Sequence, residues 1–223
     1  MSFARLAAAF AWMVGATVAR GQVLGDGIAA VVGAETPRPD ARVILHSDVD
    51  FRARLRLIGE RPGHPHLGPL PRGLLRATLQ ELIGEALIAR EAERVQLPSP
   101  TGRRLVAERR RLEALAGGRE SFQALVRALG VTDEELRAIV SQRALVSAFL
   151  EANLEGTEVV SEQRIEEVYA SGEHPFIGRA LEEVREALRV WLVRAALDEA
   201  VARWVQVLRG RTTVRVLAPY GPA

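Results

Sequence analysis

The chain has 223 residues, of which 48% are apolar, 26% charged and only 5% aromatic, enough to enclose one generous core and leaning toward helix. Cysteine is absent, which excludes a disulfide framework, a thiol nucleophile and a cysteine metal site. Its 30 basic residues, all arginine, face 28 acids; Arg5 and Arg20 precede Gln22 with no acid beside them, so the remainder balances at 28 against 28, no footprint of a nucleic-acid binder.

In chain order, residues 1–21 read as a leader. A short positive start, MSFAR, precedes an uncharged run over 6–19, and the small residues of ARG offer a cleavage site before Gln22. The run is too short to span a bilayer comfortably, so the expectation is a cleaved secretory signal and a single domain over 22–223. Residues 26–35 (DGIAAVVGAE) form a valine-rich strand candidate bounded by glycines, and Val43, Ile44 and Leu45 a second short one. HSDVDFRARLRL then starts a helix, with Ser47 as the expected N-cap and Asp50 in its first turn. The Pro/Gly-dense stretch 59–73 must be irregular.

Residues 74–97 place Leu75, Leu79, Leu82, Ile83 and Ala86 on one helical stripe. An arginine-rich helix follows over 103–115, then a short amphipathic one over 121–130 that ends on a glycine. Thr132 with Glu135 three residues later is a capping box, and Ser161 caps a further short helix. A long helix is expected over 177–208. Its middle, LRVWLVRAAL, is apolar nearly all round and predicts burial on most faces. RTTVRVL (211–217) alternates as a half-buried strand, and since a strand cannot stand alone, it predicts pairing with GIAAVVG at the other end of the chain. The expected fold is all-α with a small two-stranded sheet that joins the chain's two ends.

Chemistry-bearing motifs are sparse. His64 and His66 in GHPHLG have weak metal-ligand spacing in a Pro-rich loop, and His46 and His174 stand alone. No H-E-x-x-H or G-x-S-x-G sequence occurs, and without lysine there is no phosphate-cradling G-x-x-x-x-G-K-[ST]. Carboxylate pairs such as Glu134–Glu135, Glu166–Glu167 and Glu182–Glu183 sit in the first turns of helices or on exposed faces, where they suit the helix dipole or pair with arginines one turn away. The expectation is therefore no catalytic residue, no metal and no cofactor. The remaining candidates are apolar: Phe51, Leu55, Phe122, Leu145, Phe149, Phe176 and Trp191 are either core or the lining of an open peptide-binding groove.

The segments IAAVVG…VILHSDVDFRARL, LLRATLQELIGEALIAREAERVQL, GVTDEELRAIVSQRALVSAFL and VSEQRIEEVY, then a PF-led helix and a terminal strand, follow one another over roughly 26–217. In that order they resemble the N-terminal domain of SurA-type periplasmic chaperones, in which the C-terminal segment returns to complete the domain. The resemblance implies a helical peptide-binding domain of the kind also found at the C-terminus of trigger factor. It implies an ATP-independent periplasmic holdase whose partners are unfolded or partly folded polypeptides, outer-membrane proteins above all, with no nucleic acid and no stable membrane insertion. One departure is large. The family carries parvulin-type prolyl isomerase domains before its PF helix, and here only ASGEH separates Tyr169 from Pro175. The expectation is a binder without isomerase activity. The alternative is an assembly factor for one folded envelope protein.

Overall fold

The computed structural model describes residues 26–33, 41–154 and 160–220. The expected leader at 1–21 lies outside them. Among the described residues there are three strands, β1 (Ile28–Val32), β2 (Arg42–Leu45) and β3 (Val214–Val216). Seven helices complete the fold: α1 (His46–Glu60), α2 (Arg72–Arg94), α3 (Arg103–Leu115), α4 (Arg119–Leu129), α5 (Asp133–Leu154), α6 (Glu162–Ser171) and α7 (Leu181–Arg209).

The sheet is antiparallel in the order β2-β1-β3. The two ends of the chain pair as expected, with Val32 opposite Val214 and Ala30 opposite Val216. The sheet nonetheless has three strands rather than two, because β2 takes the other side of β1. A bulge between Ile28 and Ala30 leaves the Ala29 carbonyl to accept from both Leu217 (2.9 Å) and Ala218 (3.0 Å), which extends the closure past β3. Arg211–Thr213, expected as strand, is mostly turn, although the Thr213 carbonyl still accepts from Gly33 N–H at 2.8 Å.

Three apolar cores follow. The first joins Ala29, Ala30, Val32 and Ile44 of the sheet to Leu79, Ile83 and Leu87 of α2, and to Leu145, Val146 and Phe149 of α5. The second holds Phe51, Leu55 and Ile58 of α1, Leu112 of α3, Phe122 and Leu125 of α4, and Leu136 and Val140 of α5. The third is small, with Ile165 and Val168 of α6 around Leu188 of α7. Helix α5 thus serves two cores, one with each half. This is why Leu145 and Phe149 fall off the stripe drawn by Leu136 and Val140.

Local capping matches the sequence at the starts of α5 and α6. Thr132 Oγ1 accepts from Glu135 N–H (3.2 Å) while the Glu135 carboxylate accepts from Thr132 N–H (2.7 Å), and Ser161 Oγ accepts from Arg164 N–H (3.2 Å). At α1 the expectation is corrected. The helix begins two residues early, and it is Asp48, not Asp50, that reaches back to the Leu45 N–H at 2.8 Å. Ser47 lies inside the first turn and bonds Asp26, whereas Asp50 grips Arg54 through two nitrogens at 2.7 and 2.9 Å.

Two further corrections concern α7. It starts at Leu181 rather than near Ile177, since Gly178 adopts φ +81° and the segment before it turns, with the Arg179 carbonyl taken by Tyr169 Oη at 2.6 Å. Nor is its middle buried. Val190 is 66% exposed, Ala195 is exposed, and only Val184, Leu188 and Leu208 are buried along the helix. Its first turns pack on α6 and its last turns, through Val201, Trp204 and Val205, on the first core. The stretch between Leu192 and Val201 bridges about 14 Å at 1.5 Å per residue.

Phe149 is 2% exposed and its ring lies 5.0 Å from that of Trp204. Phe149→Ala is expected to cost about 3–5 kcal/mol as a cavity between α5 and α7. Val190→Ala, on the open middle of α7, is expected to stay within about 0.5 kcal/mol. Urea unfolding midpoints of the two variants measure the contrast.

Candidate functional site

A large cleft of about 1190 Å³ lies between α1, α2, α5 and α7, with the last turn of α3 at one end. Its apolar lining comes from Leu55 of α1, Ile88 of α2, Leu115 of α3, Val146 and Leu150 of α5, and Val201, Ala202 and Val205 of α7. Leu115 is 52% exposed and Ala202 is exposed, so this lining presents real surface. Helix α7 closes one side because its C-terminal turns are held against the first core while its middle stays clear. At the opposite wall α1 and α3 approach closely at Gly59, where a Cβ would run into the Leu115 carbonyl oxygen.

Charged groups surround this lining. Arg52 meets Glu85 in a two-pronged pair at 2.7 and 3.0 Å, Arg143 reaches the same Glu85 at 3.2 Å, and the Arg143 Nε donates to Glu108 at 2.6 Å. Glu108 is 1% exposed and is also approached by Arg111 (3.3 Å) and by the Ser147 hydroxyl (3.4 Å). A buried carboxylate survives only with partners of this kind. Burial opposes the charge on Arg52, and Glu85 more than outweighs it, so its pKa is raised. Toward solvent, Arg56 pairs with Glu81 (2.7 Å) and Arg194 with Asp198 (3.2 Å). The cleft is therefore an apolar trough whose rim charges are largely matched.

A second, smaller groove of about 330 Å³ lies along β2, between it and α5, with Phe51, Leu82 and Ala86 beneath and Leu129–Val131 at one end. Arg52, Glu85 and Arg143 line both concavities, so the ion-pair network forms the wall between them. At the Leu45 end of this groove Asp48 is held above the usual carboxylate range, first by burial and then by the charges of Asp26 and Glu135.

The seven apolar residues singled out from the sequence are spread over three cores. Phe51, Leu55 and Phe122 are in the second, with the two rings edge to face at 6.4 Å. Leu145 and Phe149 are in the first, and Phe176 and Trp191, both half-buried, edge the third. Only Leu55 lines the large cleft and only Phe51 the smaller groove. Phe122, at 0% exposure, offers no surface to a ligand. Leu115, Leu150, Val201, Ala202 and Val205 were not singled out. Val201 and Val205 are spaced one helical turn apart, a signal that also fits an ordinary core stripe. Glu108 sits in AERRRLEAL, which reads as a solvated face.

The histidines stand apart from both concavities. The His46 Nδ1 lies 2.7 Å from Tyr220 Oη, and His174 stacks on Tyr169 at 5.3 Å. Among the described residues no three His, Asp or Glu side chains are grouped to hold a metal ion, and no helix is long and apolar enough to cross a membrane.

Removing Glu108 would leave Arg143 in the wall with only Glu85, which it shares with Arg52. Glu108→Ala is expected to destabilise by about 3 kcal/mol, and Arg143→Met in the same chain to recover a large part of it, as read by a double-mutant cycle of urea unfolding. The raised pKa of Asp48 means that the native state keeps this proton longer than the unfolded chain does. Asp48 therefore makes stability fall as pH rises from about 3.9, the unfolded value, through the raised native one. Relative to the parent, Asp48→Asn should gain stability as the pH rises above about 4; a difference that is flat with pH contradicts the carboxylate grouping.

No protein-family model matches the chain, and no curated protein is similar enough to count as a relative.

Proposed function

We propose that the protein is an ATP-independent periplasmic holdase that shields unfolded or partly folded polypeptides, outer-membrane proteins above all, in the cleft between α1, α2, α5 and α7. The observation that carries this reading is the cleft itself: a trough of about 1190 Å³ with exposed aliphatic lining and charges already paired. Leader-like residues 1–21 and the ordered resemblance to SurA-type chaperones support the compartment and the clients.

Binding would work by transient desolvation. Client side chains that enter the trough leave water at about 25 cal/mol per Å² of apolar area. Matched rim pairs ask for no particular client charge, and arginine stems add apolar contact beneath their heads. With no phosphate-cradling sequence to couple release to a nucleotide, affinity must stay modest. A micromolar dissociation constant, about −8 kcal/mol, lets the folding of the client win. An open trough accepts many sequences more readily than one folded partner, which favours the holdase over the dedicated assembly factor.

Light scattering by an unfolded outer-membrane protein diluted from urea tests the reading. At stoichiometric ratio the protein is expected to slow aggregation, and Leu115→Asp or Ala202→Glu to abolish most of that effect. Both substitutions sit at exposed positions and are expected to leave the unfolding midpoint within about 0.5 kcal/mol. Aggregation unaffected by the parent protein, or equally suppressed by folded variants, would show the reading to be wrong.

A further inference from the structure

Strand β2 is an edge: β1 lies on one side, and among the described residues no strand lies on the other. The orientation of its backbone can be followed residue by residue. His46 N–H bonds the Gly27 carbonyl at 2.9 Å, on the β1 side, whereas Leu45 N–H bonds Asp48 at 2.8 Å, away from it. Backbone groups alternate in direction along an extended chain, so the N–H and C=O of Val43 point outward like those of Leu45.

Outward from that edge lies the groove of about 330 Å³, at the lower end of the range for ligand pockets. All four residues of β2 line it and none of β1 does, which places it beyond the edge. Ala138, Ile139 and Gln142 of α5 form the facing wall. No lysine or proline guards the strand, two devices by which exposed edges are commonly protected, and Val43 is 49% exposed.

The two ends of the groove differ in charge. At the Leu45 end Asp48 and Glu135 line it, and Asp26 stands behind them on Ser47. The field of Asp26 and Glu135 at Asp48 is part of what raises the pKa of that buried carboxyl. At the other end Arg42 is held by Gln142 at 3.0 Å and by Glu93. An extended chain beside β2 with a cation at the Leu45 end would match both patterns, the outward backbone groups and the grouped acids.

We propose that the free edge of β2 takes up an extended polypeptide segment by strand addition. The occupant pairs its backbone with Val43, turns apolar side chains toward Phe51, Leu82 and Ile139, and sets an arginine or lysine against Asp48 and Glu135. This goes beyond the cleft reading and can fail while that reading stands, because the groove is filled without entering the cleft.

The test uses a fluorescent hexapeptide of alternating valine and threonine that carries an arginine at the end facing Leu45. Fluorescence anisotropy should show saturable binding below about 1 mM, with chemical-shift changes at the Val43 amide. The same peptide with glutamate for arginine should bind about tenfold more weakly, and one N-methylated on the amides that face β2 should not bind. Ala138→Trp, which fills the groove from an exposed position, should weaken binding about tenfold and leave suppression of client aggregation intact. No saturable binding by the parent peptide overturns the proposal, and so does equal binding by the N-methylated one. Unchanged affinity in a folded Ala138→Trp protein does so too. Should that variant fail to fold, the N-methylated peptide on the unaltered protein decides.

Discussion

The fold depends on β1 being paired along both sides. Its one face-to-face partner in sequence, β2, reaches it across a short connection, whereas β3 comes from the far end of the chain, so that Val32 meets Val214 and Ala30 meets Val216. The ladder therefore joins segments from near the two ends of the sequence. The closure is then locked by polar contacts from the tail: Arg76 Nε donates to the Tyr220 carbonyl at 3.1 Å, and Tyr220 Oη meets His46 at the head of α1. Ala218 and Tyr220 enter the first core with the strands, so the tail contributes apolar burial as well as hydrogen bonds.

That closure also explains why α7 is a strut. Its C-terminus is committed to the sheet through the turn before β3, and its N-terminus to α6 through Leu188 and the half-buried residues around it. A rod held at both ends, with about 14 Å between its two sets of contacts, need not bury the side chains in between. The cleft is the consequence: α7 stands off from α1 and α2 wherever no core pulls it in, and the aliphatic side chains that would have been core in a tighter bundle stay open. The same geometry leaves Val190 at 66% exposure on an apolar stretch.

Arginine as the only basic side chain shapes the interior. Its planar fork satisfies carboxylates two bonds at a time, which a lysine cannot do, and this suits the Glu85 and Glu108 positions between α1, α2, α3 and α5. The fork of Arg54 does similar service at the irregular loop, with Asp50 on one side and the carbonyls of His66 and Gly68 on the other. Arg109 lies 4.8 Å from the Phe122 ring centroid and shields the second core. A balanced chain can thus carry its charge inward without leaving it uncompensated.

The sequence by itself determined the helices, because their signals are local. Capping residues such as Thr132 and Ser161, the glycine after Leu129 and the apolar period of α2 act within a turn or two of where they are written. It also determined that the last strand must pair, since an isolated strand leaves its backbone unsatisfied. The tertiary structure alone decided which apolar residues are core and which are surface. Phe122 and Val190 are each an apolar residue on a helix, yet one is sealed and the other open. Burial depends on what packs from a distant part of the chain, and no local spacing encodes where α7 stands away from its neighbours. For the same reason Glu108 reads as solvated in the sequence and lies in a wall in the fold: its partner Arg143 is 35 residues away, and only packing brings them together.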